Sequence, residues 1–433
     1  MFSASPAMAA WSRPTTLTKA GATAGFPTVA SNGRGVVVVA WYRFVGQAAQ
    51  VVARLSTDAG RTWGPRQLVG PALLAIDGTR PALLRAAVAP DGTAGLVWQR
   101  AVGRRSHEVV AALARPHGRF GSVRVVSARG VLSGYPDIAF DGSGRAVVVW
   151  VTLTEVERAV ILPGGQVTAQ RMIRTGRVPD EPTVAVNRRG DRVYAWIEST
   201  ASGFDTWVAR ERAGGRLTGP QRLQHPSAGQ LPLADAAIAA NGRSTVVYEQ
   251  VVGEADLIWA APAAWGARFG GGQRLSAPGR FAILGGAGAG SRGVGIDAAG
   301  RVSAIWEDNP LPGRTGTSRL RVATSNSAGR FRPARTPQSV SGTQTYERPA
   351  IGVAPGGGVV AAWAEVPAGA SGTNLVWGSA AAAPGGPFAP PTKLSGPRGD
   401  FAAVAATRPG GAGVAVWAQG DKRPIVRLAR WSP

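Results

Sequence analysis

The chain has 433 residues, and its apolar content of 44% excludes a disordered protein. Its 60 glycines and 32 prolines divide it into many short segments, which is typical of an all-β protein. The chain has no cysteine, which excludes disulfides, thiolate metal sites and cysteine nucleophiles, and its formal net charge of +23 makes a polyanion one class of partner to test.

The first eleven residues, "MFSASPAMAAW", end in small residues like a signal-cleavage region but contain neither a basic nor an apolar segment. We expect a trimmed secretory protein located outside the cell or in the cell envelope. The longest apolar run, Val36 to Tyr42, is far shorter than the roughly 18 residues of a spanning helix. The sequence therefore predicts no membrane span.

Four stretches share a pattern of apolar residues, a turn and a final aromatic residue. They are "FPTVASNGRGVVVVAW" to Trp41, "YPDIAFDGSGRAVVVW" to Trp150, "EPTVAVNRRGDRVYAW" to Trp196 and "RPAIGVAPGGGVVAAW" to Trp363. Less regular copies end at Trp98, Tyr248, Trp306 and Trp417. Repeats of this kind are typical of propellers and solenoids.

A glycine lies six residues before the final aromatic residue in all eight copies. These glycines are Gly35, Gly92, Gly144, Gly190, Gly242, Gly300, Gly357 and Gly411. Each copy is predicted to be a β-hairpin whose turn uses the positive φ that glycine permits. Each aromatic residue ends an apolar strand, and this position favours core packing over a surface for stacking sugars.

Two more strands are predicted after each hairpin. The third strands contain residues 49–56, 108–115, 158–163, 205–211, 256–262, 319–325, 374–380 and 424–431. The fourth strands follow a glycine turn and begin at Trp63, Phe120, Val167, Leu217, Phe269, Phe331 and Phe388. Several third strands alternate apolar and polar residues, as a strand with two different faces does.

Four antiparallel strands per unit, repeated around a circle, form a β-propeller. The last unit ends after its third strand, and residues 11–18 supply the missing fourth strand, with Trp11 and Leu17 at the usual six-residue offset. We predict one eight-bladed β-propeller domain over residues 1–433, with a tail at 1–10, a closing strand at 11–18 and about 54 residues per blade. The glycine-rich Ile283 to Gly293 is predicted to be a long loop between blades, or a lid.

The stretch "STDAGRTW" follows the third strand of the first unit. It resembles the Asp box, Ser-x-Asp-x-Gly-x-Thr-Trp, of sialidase-like propellers and other proteins with BNR repeats, and its fixed positions are Ser56, Asp58, Gly60, Thr62 and Trp63. A degenerate copy, "SNSAGRFR", begins at Ser325. The resemblance implies a structural motif, and an Asp that accepts hydrogen bonds from turn amides is consistent with that role.

A sialidase-like enzyme would be an exo-glycosidase with an arginine triad, a Tyr/Glu nucleophile pair and an Asp acid/base. The chain lacks the Phe-Arg-Ile-Pro signature of these enzymes. They form six-bladed rings, whereas eight blades are predicted here. Quinoprotein dehydrogenases have eight blades, but a shorter Gly-to-Trp spacing and a cysteine pair. The chain also has only three histidines and no Gly-x-Ser-x-Gly motif for Ser-His-Asp chemistry. We therefore favour a protein that is not an enzyme, and we assign no catalytic residue.

Ligands of propellers generally bind where loops between second and third strands meet the loops that join blades. Most of the acidic residues are predicted in these loops, Asp137 and Asp235 among them, while most arginines are predicted elsewhere. The candidate ligand-binding residues are Arg80, Tyr135, Asp180, Glu181, Glu198, Glu249, Arg292, Glu307, Arg348, Glu365 and Asp400. Such a mixture suits hydrogen bonding to a sugar, binding of a cation such as calcium, or internal ion pairs.

Three functions remain open at this point. The first is a binding module, arginine-rich and expected to be monomeric, for a carbohydrate or a protein partner at the loop face around the axis. The second is a sialidase-like glycoside hydrolase, and the third is a scaffold that binds polyanions. Nucleic acid is disfavoured because the basic residues are scattered along the chain. The sequence implies no cofactor or metal, although calcium stays open.

Overall fold

The computed structural model describes residues 9–19, 21–46, 48–72, 83–102, 107–128, 131–169, 171–223, 231–286, 292–341, 345–366 and 374–433. At residues 341, 345–348 and 401 only the backbone is described. The described residues form 34 strands and contain no helix. No helix in this part of the chain has the length and apolar character to cross a membrane.

The strands have the following bounds. The strands up to residue 174 are β1 (Ala10–Trp11), β2 (Thr15–Thr16), β3 (Thr23–Ser31), β4 (Val37–Val45), β5 (Ala48–Ser56), β6 (Gln67–Ala72), β7 (Leu84–Val88), β8 (Ala94–Ala101), β9 (His107–Ala114), β10 (Arg124–Val125), β11 (Gly134–Phe140), β12 (Ala146–Val151), β13 (Glu155–Ile161) and β14 (Arg171–Arg174). Those from 179 to 341 are β15 (Pro179–Val186), β16 (Arg192–Thr200), β17 (Gly203–Glu211), β18 (Gln221–Arg222), β19 (Ala234–Ile238), β20 (Ser244–Val252), β21 (Ala255–Ala263), β22 (Gln273–Arg274), β23 (Phe281–Leu284), β24 (Val294–Ile296), β25 (Val302–Asn309), β26 (Thr317–Thr324) and β27 (Arg335–Ser341). The last are β28 (Thr345–Val353), β29 (Val359–Val366), β30 (Leu375–Ala381), β31 (Thr392–Lys393), β32 (Gly399–Ala406), β33 (Gly413–Gln419) and β34 (Ile425–Ser432).

These strands form seven sheets in the described part of the chain. Five sheets have four antiparallel strands: β3 to β6, β7 to β10, β11 to β14, β15 to β18 and β28 to β31. A sixth joins β32, β33 and β34 to the N-terminal β1 and β2, with Trp11 opposite Trp431. The seventh has nine strands, β19 to β27, and its two halves are joined by one parallel residue pair, Asp256 with Phe281. The protein is therefore an all-β assembly of antiparallel sheets.

The innermost strand of each sheet contacts the innermost strands of its neighbours. The contacts run in order through β3, β7, β11, β15, β19, β24, β28 and β32, and β32 contacts β3 again. The first strands thus form a closed ring, which is the arrangement of a β-propeller. The N-terminal strands complete the sheet at which the ring closes, as the sequence predicts.

The repeat residues have the conformation and the burial that the sequence predicts. All eight repeat glycines have positive φ, between 77° and 104°. All eight final aromatic residues are buried, and seven of them are tryptophans among the largest fully buried side chains. Trp98, for example, packs with residues of β4, β5 and β9. The aromatic residues therefore fill the layers between neighbouring sheets.

Two predictions about strand positions are wrong. The fourth strands do not begin at their first aromatic or apolar residue: Trp63 precedes β6 by four residues, and Phe331 forms only an isolated bridge with Ser325 before β27. The stretch from Ile283 to Gly293 does not lie between blades, because β23 and β24 on either side of it both pair with β25. It is an insertion within one innermost strand, and its residues 287–291 lie outside the described part.

Candidate functional site

A repeated bulge shapes the start of several innermost strands. The pairing register shifts between Gly25 and Thr28, between Gly134 and Asp137, and between Asp180 and Thr183. The bulge residues that precede proline, Phe26, Tyr135 and Glu181, have φ of 52°, 49° and 44°. Residues other than glycine rarely adopt a positive φ, and residues before proline favour an extended backbone. Strain of this kind is concentrated at functional sites in many proteins.

Tyr135 and Glu181 carry this strain next to one another at the ring mouth, the end of the ring where the innermost strands begin. Tyr135 is 41% exposed. Burial of its hydroxyl, together with the charges of Asp180 and Glu181, raises the pKa of Tyr135. The backbone N–H of Glu181 donates a 2.8 Å hydrogen bond to Oδ1 of Asp180. The mouth thus presents an exposed phenol ring beside two carboxyl groups.

Glu181 is the most strongly perturbed acid at the mouth. Burial raises its pKa to about 7, Arg85 opposes this increase, and Asp180 and Asp137 add to it. Burial also raises the pKa of Asp180, against the hydrogen bond from the Glu181 backbone. Near neutral pH, Glu181 therefore exists in both forms and is able to donate as well as accept a hydrogen bond.

A small cavity lies behind these residues. Its lining includes Arg85, Glu181, Thr183, Asp235 and Arg292, and its volume is about 30 Å³. This volume holds one or two water molecules and is too small for a sugar ring. A larger ligand at the mouth would therefore rest on the opening rather than enter it.

Arg292 connects residues of three other innermost strands at this cavity. Its Nη2 atom donates to Oδ1 of Asp137 at 2.7 Å, and its Nη1 atom donates to Thr183 Oγ1 at 2.9 Å and to Asp235 Oδ1 at 3.1 Å. Asp137 also accepts from the Val184 N–H at 2.9 Å. The charge of Arg292 is thus compensated within the protein.

Four predicted acids lie in second strands, not in the loops where they were expected. Glu198, Glu249, Glu307 and Glu365 are only 2–7% exposed. Glu198 accepts from Trp196 Nε1 at 2.8 Å, Glu307 from Asn309 Nδ2 at 3.1 Å and Glu365 from Gln338 Nε2 at 3.4 Å. The reason is that each second strand continues past its aromatic residue, so that these side chains are covered. We therefore assign them to the support of the sheets.

Glu249 joins two halves of the nine-stranded sheet. Its carboxylate accepts hydrogen bonds from the backbone N–H groups of Leu233 and Leu284. Burial raises its pKa to about 8, the two backbone donors oppose this shift, and nearby Asp256 adds to it. Burial likewise raises the pKa of Asp256 to about 6. Both side chains are only 6% exposed, so the two carboxyl groups are buried within the sheet.

The remaining candidates give less information. Asp400 lies near the start of β32 and is partly exposed. Arg80 lies outside the described residues, and for Arg348 only the backbone in β28 is described. Sequence reasoning missed Arg85 and Thr183, and it noted Asp137 and Asp235 only as loop acids. These four residues share one signal, because each lies seven positions before a repeat glycine.

The Asp-box stretch forms a compact turn on the opposite end of the ring. Asp58 accepts from the Thr62 N–H at 2.9 Å and from the Thr62 hydroxyl at 2.6 Å, and the Ser56 hydroxyl lies 2.8 Å from Asp58 Oδ1. The Ser56 hydroxyl also accepts from the Gly60 N–H. Trp63 packs against the core between the sheets of β3 and β32. All these contacts are internal to the turn and its neighbours.

Metal binding has no support in the described ranges. They contain no group of three or more His, Asp or Glu residues placed to hold an ion. His107 is buried and His117 lies in a turn near Thr57, while His225 falls outside the described part.

Comparison with known proteins finds structural neighbours and leaves the family open. No protein-family model matches the chain, and no curated protein matches its sequence. A solved polysaccharide lyase, an ulvan lyase bound to -[GlcA(1-4)Rha3S]-, is similar over 79% of this chain and 91% of its own, with 10% identity and a TM-score of 0.50. An α-L-arabinanase of Penicillium chrysogenum is similar over 77% and 98%, with 12% identity and a TM-score of 0.40. The β-propeller domain of the trilobed protease of Pyrococcus furiosus is similar over 86% and 98%, with 12% identity and a TM-score of 0.45.

Proposed function

We propose that this protein is a binding module that recognises a carbohydrate at the ring mouth. The observation that carries the proposal is the exposed ring of Tyr135 beside the carboxyl groups of Asp180 and Glu181. Aromatic faces pack against the apolar faces of sugars, and carboxyl groups hydrogen-bond to hydroxyls. A protein partner that presents hydroxyl groups is the alternative ligand of the same site.

The protonation of Glu181 supports a neutral, hydroxyl-rich ligand. With a pKa of about 7, its carboxyl group is not permanently charged at neutral pH. The positive charge of Arg292 at the cavity is already compensated by Asp137 and Asp235. A ligand with a strong negative charge would have to compete with these carboxylates, whereas an uncharged sugar would not.

We also infer eight blades within one domain. The nine-stranded sheet divides into two antiparallel sets at its single parallel pair, Asp256 with Phe281. Division at this pair yields eight sets, in agreement with the eight innermost strands of the ring and the eight repeat glycines. We also propose, from the Asp-box turn, that the protein is related to the sialidase-like propellers with BNR repeats.

Binding is tested by a glycan array followed by titration calorimetry with the best oligosaccharide. Tyr135→Ala removes the aromatic surface, and Glu181→Ala removes the carboxyl group that would hydrogen-bond to the sugar. Each is expected to weaken binding about tenfold or more. Met172→Ala, 49% exposed in the outer strand β14 of the same sheet as Tyr135, is the matched control and should bind normally. Absence of any glycan ligand, or two variants that bind as the unmodified protein does, would refute the proposal.

A second candidate function is glycoside hydrolysis, which the pKa of Glu181 favours. A carboxyl group with a pKa near 7 is suited to general acid catalysis, and Asp180 is a second carboxyl group beside it. Turnover of a panel of fluorogenic glycosides, lost in Glu181→Gln and Asp180→Asn, would establish the enzyme. The compensated charge of Arg292 weighs against a sialidase, since that residue is unavailable for a substrate carboxylate.

A further inference from the structure

Two basic grooves flank the closing seam, which we define as the boundary between the sheet of β32 to β34 and the sheet of β3 to β6. The first groove is lined by Arg61, Arg408 and Arg430 and has a volume of about 370 Å³. Arg61 belongs to the Asp-box turn, Arg408 to the turn between β32 and β33, and Arg430 to β34. The groove therefore lies at the opposite end of the ring from the mouth.

The second groove lies on the outer side of the same seam. Its lining includes Lys19, Arg54 and Arg66, and its volume is about 610 Å³. Arg54 is held in place because its Nε atom donates to Gly64 O at 2.8 Å and its Nη2 atom donates to Trp63 O at 2.9 Å. Burial, together with the charge of nearby Arg66, lowers the pKa of Arg54. Arg54 and Arg66 thus place two neighbouring positive charges at this groove.

The six cations of the closing seam are not compensated in the described part of the chain. Neither groove has an Asp or Glu side chain among its described lining residues. None of the six forms an ion pair within 4.0 Å with a described carboxylate, in contrast to Arg158, Arg280 and Arg301 elsewhere. An uncompensated cluster of this kind attracts anions and gains free energy by releasing counterions.

The two grooves are connected through residues 61 to 66. Five residues of extended chain span at most about 18 Å, so Arg61 and Arg66 lie within the reach of a few sugar units. We infer that the closing seam binds an anionic polysaccharide, with its sulfate or carboxylate groups on the arginines of the two grooves. Guanidinium groups bind such oxyanions with two parallel hydrogen bonds, which favours arginine over lysine here.

Several observations favour a polysaccharide over a nucleic acid. Proteins that hold single strands stack the bases on exposed aromatic side chains. The aromatic residue that lines the first groove, Trp431, is buried, and the described lining of the second groove contains none. The grooves thus offer sites for discrete anionic groups without stacking surfaces.

The test measures binding of the full chain to heparin, to hyaluronan and to uncharged dextran at several salt concentrations. Heparin carries sulfates, and hyaluronan carries carboxylates alone, so their ranking identifies the anionic group. The combined substitution of Arg61, Arg408 and Arg430 by Ala removes the first groove. The combined substitution of Lys19 and Arg66 by Ala alters the second and leaves Arg54, which supports the turn.

The matched control replaces the exposed Arg171, Arg174 and Arg216 by Ala, which changes the net charge equally on other sheets. We expect the first triple variant to bind heparin or hyaluronan about tenfold or more weakly at low salt. The slope of log Kd against log salt should fall by about 2 to 3, since each lost contact removes roughly one counterion. The control should retain both values, and Tyr135→Ala should not change them.

Three results would overturn the inference. Equal weakening in the groove and control variants would show that net charge alone attracts the polysaccharide. Binding of a single-stranded DNA of equal charge as tight as that of heparin, with the same dependence on the six cations, would assign the seam to nucleic acid. Failure of both polysaccharides to bind would equally remove it, without affecting the carbohydrate site at the mouth.

Discussion

Arg292 and Asp137 are 155 positions apart in the sequence, yet Nη2 of Arg292 lies 2.7 Å from Oδ1 of Asp137. The same guanidinium contacts Asp235 at 3.1 Å, and both carboxylates are largely buried. One cation therefore neutralises two carboxylates that the innermost strands β11 and β19, on either side of β15, bring to the ring mouth. The arrangement ties together strands that share no backbone pairing.

Substitution of Arg292 by Met is expected to destabilise the protein by about 2 to 4 kcal/mol, because it leaves two buried carboxylates without their cation. Arg292→Lys keeps the charge but not the two-pronged geometry and should lose less. Urea unfolding measures both, and Arg171→Met, at an exposed position, is the control. If Arg292→Met unfolds at the same urea concentration as the control, Arg292 contributes no net stability.

The sequence predicts the repeat well because the repeat depends on local chemistry. A positive φ is needed in each hairpin turn, and only glycine meets it without strain, so all eight glycines share one offset. The bulges at Phe26, Tyr135 and Glu181 could not be predicted in this way. Their X-Pro pairs are visible in the sequence, but residues before proline favour extended backbone, so that the pairs indicate the opposite sign of φ.

The site could be predicted only in part, because its contacts join distant strands. The ring mouth brings together four predicted residues, Tyr135, Asp180, Glu181 and Arg292. The contacts of Arg292 could not be predicted, because they depend on how the insertion before β24 places this residue. Glu198 and Glu307 looked like loop acids because sequence alone does not show how far a second strand continues past its aromatic residue. Their burial is a consequence of strand length.

Asp58 is expected to stabilise the Asp-box turn in a pH-dependent manner. Partial burial alone would raise its pKa, but hydrogen bonds from Thr62 and Ser56 outweigh burial and lower the pKa to about 2. The ordinary value is near 4, so its contribution is present above pH 4 and is lost as the pH falls towards 2.

Asp58→Asn should therefore cost about 1 kcal/mol at pH 7, a value reduced from the full pKa shift because the group is partly exposed. The difference from the unmodified protein should shrink at pH 3, which urea unfolding at both pH values measures. Asp421→Asn, at a side chain that is 61% exposed, is the control and should have little effect at either pH. A cost that does not change between pH 7 and pH 3 would contradict this account.

Two buried tryptophans provide a matched comparison of packing and hydrogen bonding. Trp196 Nε1 donates to Glu198, whereas Trp306 Nε1 is buried with no hydrogen-bond partner among the described residues. Trp306→Phe removes volume alone, but Trp196→Phe also deprives a buried carboxyl group of its donor. We expect Trp196→Phe to be the more destabilising by about 1 to 3 kcal/mol, as measured by urea unfolding. Equal losses would show that Glu198 finds another donor.

Because of Glu249, the free energy of unfolding is expected to decrease as the pH rises. Burial raises its folded-state pKa to about 8 from an unfolded value near 4.5, so the neutral form is favoured in the folded protein. Its stabilising contribution is complete below pH 4.5 and decreases up to pH 8, by about 2 to 4 kcal/mol. Glu249→Gln removes this dependence, because an amide does not titrate.

The unmodified protein and the Glu249→Gln variant should therefore exchange their order of stability between pH 5 and pH 9. At pH 5 Glu249→Gln should be less stable by about 1 kcal/mol, because its NH2 group cannot accept from Leu233 or Leu284 as a carboxyl oxygen does. At pH 9 it should be the more stable, because the unmodified protein then buries a charge. Urea unfolding at both pH values measures the crossing, and the exposed Glu254→Gln is the control. A variant less stable by the same amount at both pH values would mean that Glu249 remains ionised throughout.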